Sequence, residues 1–239
     1  MLIERAMSDG YLTNTYLVAG GPGEAGFLVD AGGPMGPLFE AAERHAIDVT
    51  HVLLTHHHHD HVCALEEVRR RYPDVVVLAH PDEPVEAEPF EPLRIGSLDV
   101  GAVHTPGHTK GMLNFTAAGH VFTGDTLFRR SVGGVRAGGS TGYADIKASI
   151  MDRLMALDHA TEVHPGHTDP TTIGDEWEGN AFIRVWRGLD AEGDEPVRVF
   201  GEPATLIVWG DDYDGGHKAW VRWPDGRDDI VPGSQVERG

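Results

Sequence analysis

The sequence predicts an α/β fold in which helices are layered over sheets, followed by a small all-β appendage. Three observations carry that expectation. Short apolar runs alternate with longer amphipathic ones up to about residue 188. Each half of this region repeats one order, strands and then helices, whose apolar faces must cover each other. Beyond residue 188 the chain changes to short apolar strands separated by Asp-Gly turns. The predicted division is an α/β domain over 1–188, then a linker and β-rich extension over 189–239.

Taken in order, "YLTNTYLVAG" and "GEAGFLVDAGG" read as two strands joined by a Gly/Pro turn. "MGPLFEAAERHAI" reads as a helix with Leu38, Phe39, Ala42 and Ala46 on one side. "THVLLT" is a short buried strand that stops at a histidine cluster. "DHVCALEEVRRRYP" reads as one helix, with Asp60 at its positive N-terminal end and Pro73 ending it. Cys63 reads as a small core residue of that helix. "DVVVLAH" is a strand, and the Pro/Glu-rich "EPVEAEPFEP" an exposed loop. "LDVGAVHT", "LNFTAAG" and "HVFTGD" follow as strands. "TLFRRSVGGVRAGGSTG" is a long irregular loop, of the kind that usually carries function. "YADIKASIMDRLMAL" is helical, with Ile146, Ile150, Leu154 and Leu157 in period. "TEVHPGH" is a strand entering a loop, and "DEWEGNAFIRVWRG" reads as one final helix.

Composition narrows the function. The 239 residues hold 19 Lys+Arg against 38 Asp+Glu, a formal charge of -19 that repels nucleic acid and anionic membrane. One cysteine allows no internal disulfide, which fits a reducing compartment. The first residues show no signal peptide, and no apolar stretch approaches a membrane span. The expectation is a soluble, cytoplasmic protein. That charge leaves a small molecule as the expected partner class.

The chemistry lies in "THHHHDH", Thr55 to His61, with five histidines and one aspartate in seven residues. Alternation along an extended segment points His56 and His58 one way and His57 the other. Asp60 and His61, at the helix start, face back toward the same place. The stretch therefore reads H-x-H-x-D-H, with His57 and His59 as interleaved packing residues.

This pattern resembles the T-H-x-H-x-D-H signature of the metallo-β-lactamase superfamily. "TPGHTKG" with His108, "FTGDTLF" with Asp125 and "HPGHTDPTTIG" with His167 continue the resemblance in order, over about residues 1 to 187. The last three motifs are similar to those of the glyoxalase II branch of hydroxyacyl-thiol hydrolases. The resemblance implies a four-layer αβ/βα sandwich and two divalent ions. It implies that His56, His58 and His108 hold the first ion, that Asp60, His61 and His167 hold the second, and that Asp125 bridges them opposite a hydroxide. Asp60 and Asp125 are the catalytic carboxylates in this reading. His164 competes with His167, but the family's ligand follows Pro-Gly, which selects His167. His104 and His120 read as strand residues with no metal role. Imidazole and carboxylate sets suit zinc first, with iron or manganese as the other choices.

Two dications lower the pKa of a shared water toward neutrality and polarise a carbonyl. A thiolate leaves at its own pKa of about 8.5, whereas an amine needs a proton. No serine nucleophile elbow or Cys-His pair is present. The expectation is hydrolysis of a thioester or related acyl substrate. The alternatives are a lactonase, a mononuclear iron persulfide dioxygenase of the same fold, and a scaffold that binds through the appendage. The chain departs from the glyoxalase II pattern at Ala64, where a glycine is usual, in "VGGVRAGG", which lacks G-R-T-D, and in an appendage that is β rather than helical. Arg129, Arg130, Arg136, Tyr143 and Lys147, concentrated after Asp125, are the candidate contacts for an anionic substrate tail.

Overall fold

The computed structural model describes residues 1–239. The first sheet places β1 (Leu2–Met7), β2 (Asn14–Ala19), β3 (Ala25–Val29), β4 (Asp48–Leu53), β5 (Val76–Ala79) and β6 (Glu88–Pro89) side by side in chain order. The first three are antiparallel neighbours, and β3 to β6 run parallel. Parallel neighbours need crossovers. α1 (Gly36–Arg44) supplies one, and α2 (His59–Val62) with α3 (Leu65–Arg71) supplies the next.

The second sheet begins with the meander β7 (Leu93–Ile95), β8 (Leu98–His104), β9 (Leu113–Ala117) and β10 (His120–Gly124). The chain leaves it through the small hairpin β11 (Leu127–Phe128) and β12 (Ser131–Val132), and through α4 (Tyr143–Ala148), which continues as a wider π-helical turn to Leu154. It returns as β13 (Glu162–Pro165), parallel to β10, and β14 (Thr171–Thr172). α5 (Ile173–Gly179) and α6 (Ala181–Trp186) follow. A third sheet is built from β15 (Glu195–Val199), β16 (Glu202–Asp211), β17 (His217–Arg222), β18 (Asp228–Pro232) and β19 (Val236–Glu237).

Three apolar clusters set the layers. Tyr16, Phe27, Leu53, Phe115 and Phe122 pack between the first two sheets. Leu38, Ala41, Leu65 and Val68 cover the outer face of the first sheet, against Leu17, Leu28 and Val52. Ile146, Ile150, Phe182 and Ile183 cover the outer face of the second, against Val121 and Val163. The order helix, sheet, sheet, helix is the four-layer sandwich that the motifs imply. Ile207, Val208, Trp220 and Ile230 of the third sheet join that last cluster, so the extension shares a core with the sandwich. Its other face closes over Val199, Leu206 and Val221.

The structure corrects several boundaries. β1, β7, β14 and β19 are strands that the apolar pattern does not mark, β6 lies in the segment expected as an exposed loop, and the hairpin β11–β12 lies in the segment expected as an irregular one. The helix expected after Asp60 is two helices, because the Ala64 N–H is drawn to the Ala31 carbonyl at 2.8 Å. Asp60 lies inside the first turn of α2 rather than at its cap. The last helix also breaks. Asn180 takes an extended backbone, and its side chain accepts from the Phe182 N–H to start α6. Ala46 lies beyond the end of α1 at φ 53 and is exposed. Cys63 is exposed, not core.

Candidate metal centre

The site forms at the ends of strands. β4 stops at Leu53, and the chain crosses from extended backbone into α2 through Thr55–His61. Asp30 follows β3, Asp125 follows β10, and His167 lies two residues past β13. His108 sits on the turn between β8 and β9. Gly166 must be glycine: a Cβ there would lie 2.5 Å from Asp125 Oδ1 and 2.8 Å from His61 Cε1.

Five imidazoles are fixed through their outer nitrogens. His61 Nδ1 donates to the Asp30 carboxylate at 2.8 Å. His108 Nδ1 donates to the Gly134 carbonyl at 2.7 Å, His167 Nδ1 to the Leu12 carbonyl at 3.1 Å, and His58 Nε2 to the Gly138 carbonyl at 2.9 Å. The Thr55 hydroxyl donates to Asp30, so it accepts from His56 Nδ1 at 3.0 Å. A neutral imidazole has one N–H. Each ring therefore turns a bare nitrogen inward, the arrangement that outer hydrogen bonds impose on metal-binding histidines.

Those inward atoms converge. His58 Nδ1 lies 3.0 Å from His56 Nε2 and 2.9 Å from His108 Nε2. Asp60 Oδ2, itself held by the Thr13 hydroxyl at 2.8 Å, lies 3.5 Å from His61 Nε2 and 3.6 Å from His167 Nε2. Asp125 sits between the two groups. Its Oδ1 is 3.2 Å from His61 Nε2, and its Oδ2 is 3.4 Å from both His108 Nε2 and His167 Nε2. A tetrahedral ion with Zn–N of about 2.0–2.1 Å sets its ligand atoms about 3.3 Å apart. The spacing fits. His61 Nε2 and Asp125 Oδ1 are buried with no hydrogen-bond partner, and bare lone pairs facing each other repel unless a cation lies between them. His56, His58 and His108 could hold one ion, and Asp60, His61 and His167 another. Asp125 is placed to touch both.

The charges agree with cation binding. Burial holds His56 well below its ordinary pKa and takes His108 down to about 4, so both stay neutral. Burial alone would lower His61, but the Asp125 and Asp30 carboxylates on its two sides raise it well above the ordinary value. A proton there occupies the place a cation would take. Burial would raise Asp125, but His167 and His61 beside it take it well below the usual carboxylate range.

The other expected residues are dispersed. His57 pairs with buried Glu83, as a packing residue should, and His59 lies exposed near Tyr11. Cys63 Sγ–H turns away to the Gly32 carbonyl. His164 lies on β13, 3.0 Å from His120 and outside the centre. Arg129, Arg130, Arg136, Tyr143 and Lys147 do not form one cluster. Arg136 pairs with Asp229 at 2.6 Å and lies over the Phe200 ring, and the Tyr143 hydroxyl accepts from Trp186. Lys147 faces Glu192 electrostatically. Of the five, Arg129 and Arg130 share a cavity of about 500 Å³, lined also by Leu12, Tyr213 and the carboxylates of Asp169 and Asp211.

Three residues of the site escaped sequence reasoning. Asp30 sets two imidazoles; an aspartate at a strand end before Ala-Gly-Gly was its only signal. Thr13 is part of no motif. Tyr213, in the third sheet's β16–β17 turn, stacks on His167 with centroids 4.1 Å apart and planes 17° apart. The edge of Phe128 meets the same imidazole. Burial, with Asp125 and Asp212 nearby, pushes the Tyr213 phenol up to about 12.

Residues 8–93 and 78–167 match the Metallo-beta-lactamase superfamily, and the chain belongs to that family. It is 32% identical over 207 residues to an uncharacterized protein of Mycobacterium tuberculosis, covering 71% of this chain and 92% of that one. It is 32% identical over 167 residues to a hydroxyacylglutathione hydrolase of Xanthomonas axonopodis pv. citri, covering 68% of this chain and 62% of the relative. Among solved structures it is similar to ETHE1 from Myxococcus xanthus, with TM-score 0.68, 25% identity, and 80% and 92% of the two chains covered. It is also similar to TTHA1623 in a di-iron-bound form, with TM-score 0.65, 30% identity, and 75% and 99% covered. No helix is long and apolar enough to cross a membrane.

Proposed function

We propose that this chain is a dinuclear metal-dependent hydrolase that cleaves a thioester, of the hydroxyacyl-thiol type or a close acyl relative. The observation that supports it most is the set of five imidazoles locked with bare nitrogens inward around Asp60 and Asp125. Two ions held there would activate a water at neutral pH and polarise a carbonyl. The chain's own residues do the rest. Asp30, Thr55, Leu12, Gly134 and Gly138 fix the ligands before any ion arrives. Phe128 and Tyr213 wall one side of His167 and limit water there. Every histidine of the centre is committed through both nitrogens, so none is spare to protonate an amine. That favours a thiolate leaving group over an amine. The similarity to a hydroxyacylglutathione hydrolase favours the same class. The cavity beside Tyr213 is lined by Arg129 and Arg130 but also by Asp169 and Asp211, so an anionic carrier tail would have to displace Asp169 from Arg129 to use that charge.

A second reading is the mononuclear iron persulfide dioxygenase of the same fold, for which His56, His61 and Asp125 offer two imidazoles and one carboxylate within reach of a single ion. Metal analysis with a substrate panel separates the two. Protein loaded with zinc should release thiol from S-hydroxyacyl thioesters, and Asp125→Ala should abolish this. One iron per chain with oxygen uptake on a persulfide, or a preference for lactones over every thioester, would overturn the main reading.

A further inference from the structure

A second group of histidines lies outside the centre. β10 and β13 run parallel, with His120 opposite Glu162 and Phe122 opposite His164. Residues two apart on a strand share a face. His120, Glu162 and His164 therefore project from one face, while Val121 and Val163 project from the other into the helix-covered core. His120 Nδ1 lies 3.0 Å from His164 Nε2 and 3.5 Å from Glu162 Oε2, and His164 Nε2 lies 3.9 Å from that same oxygen. The first two spacings are those found among the central ligands. Glu162, more than half exposed, has room to close the third.

The surroundings suit a site rather than a chance contact. The His164 ring stacks on Phe122 at 4.9 Å and meets the edge of Tyr16 at 5.5 Å, so its direction is set. Ile3, Arg5 and Tyr16 complete a cavity of about 400 Å³ over the three side chains. Arg5 is the cation at its rim, and its guanidinium is taken up by the Thr168 carbonyl and by Asp169 at 2.9 Å. His164 is 5% exposed and its Nδ1 has no partner, so Nε2 alone compensates for burying the ring. With Nε2 on an ion, the ring's one N–H sits on Nδ1, which has no acceptor, so the bond to the ion must offset that buried donor as well.

We propose that His120, Glu162 and His164 form a third metal site, distinct from the central pair, that takes a divalent transition ion such as zinc. Two imidazoles and one carboxylate are a set that zinc accepts, leaving a fourth position for water. That position faces the cavity. The site's location gives it a role. β10 runs into Asp125, and β13 leads to His167. An ion across the two strands clamps the parallel pair that delivers both ligands to the centre.

The test counts ions. Purified protein is stripped with a chelator, reloaded with zinc alone, passed through a desalting column and analysed for metal, beside His120→Asn, Glu162→Gln and Asp125→Ala. The first two changes are at partly exposed positions, which keeps the fold. Wild type should retain one more zinc per chain than His120→Asn or Glu162→Gln. Asp125→Ala should lose central zinc yet keep one ion, which the double variant with His120→Asn then loses. Zinc should also raise the Tm of Asp125→Ala more than that of the double variant at equal free zinc. Equal zinc content in wild type and His120→Asn would overturn the site. Loss of all zinc in Asp125→Ala would do the same. Neither result depends on which substrate the central pair cleaves.

Discussion

Asp30→Asn isolates what the buried carboxylate does for the metal centre. Asp30 is 2% exposed and sits at φ 61, a conformation that asparagine adopts as readily as aspartate. The backbone is therefore undisturbed. Oδ1 accepts from the Thr55 N–H at 2.7 Å and the Thr55 hydroxyl at 3.1 Å, and asparagine keeps that oxygen. Oδ2 accepts from the Thr55 hydroxyl and from His61 Nδ1, each at 2.8 Å. An amide nitrogen in its place donates instead. His61 must then accept at Nδ1 and carry its proton on Nε2, the atom that faces Asp125 and the proposed second ion. Reversing one hydrogen bond to a charged group costs about 1.5–3 kcal/mol. Loss of a partner behind a metal ligand costs roughly 10- to 100-fold in affinity, a matching range. Zinc competition against a chromophoric chelator reads the change. Asp30→Asn should lose the more weakly held central zinc at a chelator concentration where wild type keeps it, with only a small drop in Tm. If Asp30→Asn holds its zinc as tightly as wild type, the tautomer argument is wrong.

Three further changes address other parts of the site. Gly166→Ala places a methyl 2.5 Å from Asp125 Oδ1, so it should fold but lose central metal and thiol release together; full activity would contradict the packing. Tyr213→Ala removes a stack worth about 0.5–1.5 kcal/mol and should raise KM for the thioester by roughly 2- to 10-fold, with Tyr213→Phe near wild type. Unchanged kinetics in the alanine variant would remove Tyr213 from the site. Glu176 is held by Asn180, Thr171 and the Arg130 N–H, but burial raises its pKa above the ordinary 4.5. A raised carboxyl contributes stability that is fully present below its unfolded pKa and lost as pH rises through the folded one. The Tm of Glu176→Gln relative to wild type should therefore increase from acidic to neutral pH, and a difference independent of pH would refute that.

Much of the centre was legible because its signals are local. Strand alternation separates His56 and His58 from His57, and a strand-to-helix junction turns Asp60 and His61 toward them. His108, Asp125 and His167 needed the family motifs, since nothing in a strand's period reports what its distant end meets. The acceptors that set the tautomers were not legible. Leu12, Gly134 and Gly138 act through backbone carbonyls, which every residue has. The helix breaks at Ala64 and Asn180 were hidden for a different reason. Apolar periodicity runs across both, while the cause lies in one long-range bond to Ala31 and one local cap. The basic residues after Asp125 are close in sequence without converging on one point, since Arg129 and Arg130 share a cavity and Arg136 does not join them. Arg136 is turned instead to Asp229, far along the chain.

The third sheet is better understood as part of the support of the candidate metal centre than as an addition to the sandwich. The loop after β12 carries Gly134 and Gly138, whose carbonyls orient His108 and His58. That loop is fastened to the third sheet where the Val135 N–H donates to the Ile230 carbonyl and Arg136 pairs with Asp229. The other half of the centre is reached from the same sheet by Tyr213, stacked on His167. Beneath that turn, Lys218 is buried against Asp212 at 3.1 Å, with the Phe128 and Tyr213 rings close to its ammonium. A buried ion pair of this kind contributes little net stability, but breaking it is costly, which disfavours other placements of the turn. One sheet thus braces the first group of ligands through a loop and covers the second through a ring. A helical extension in place of this sheet would have to rebuild both supports, the loop that carries the Gly134 and Gly138 carbonyls and the ring stacked on His167.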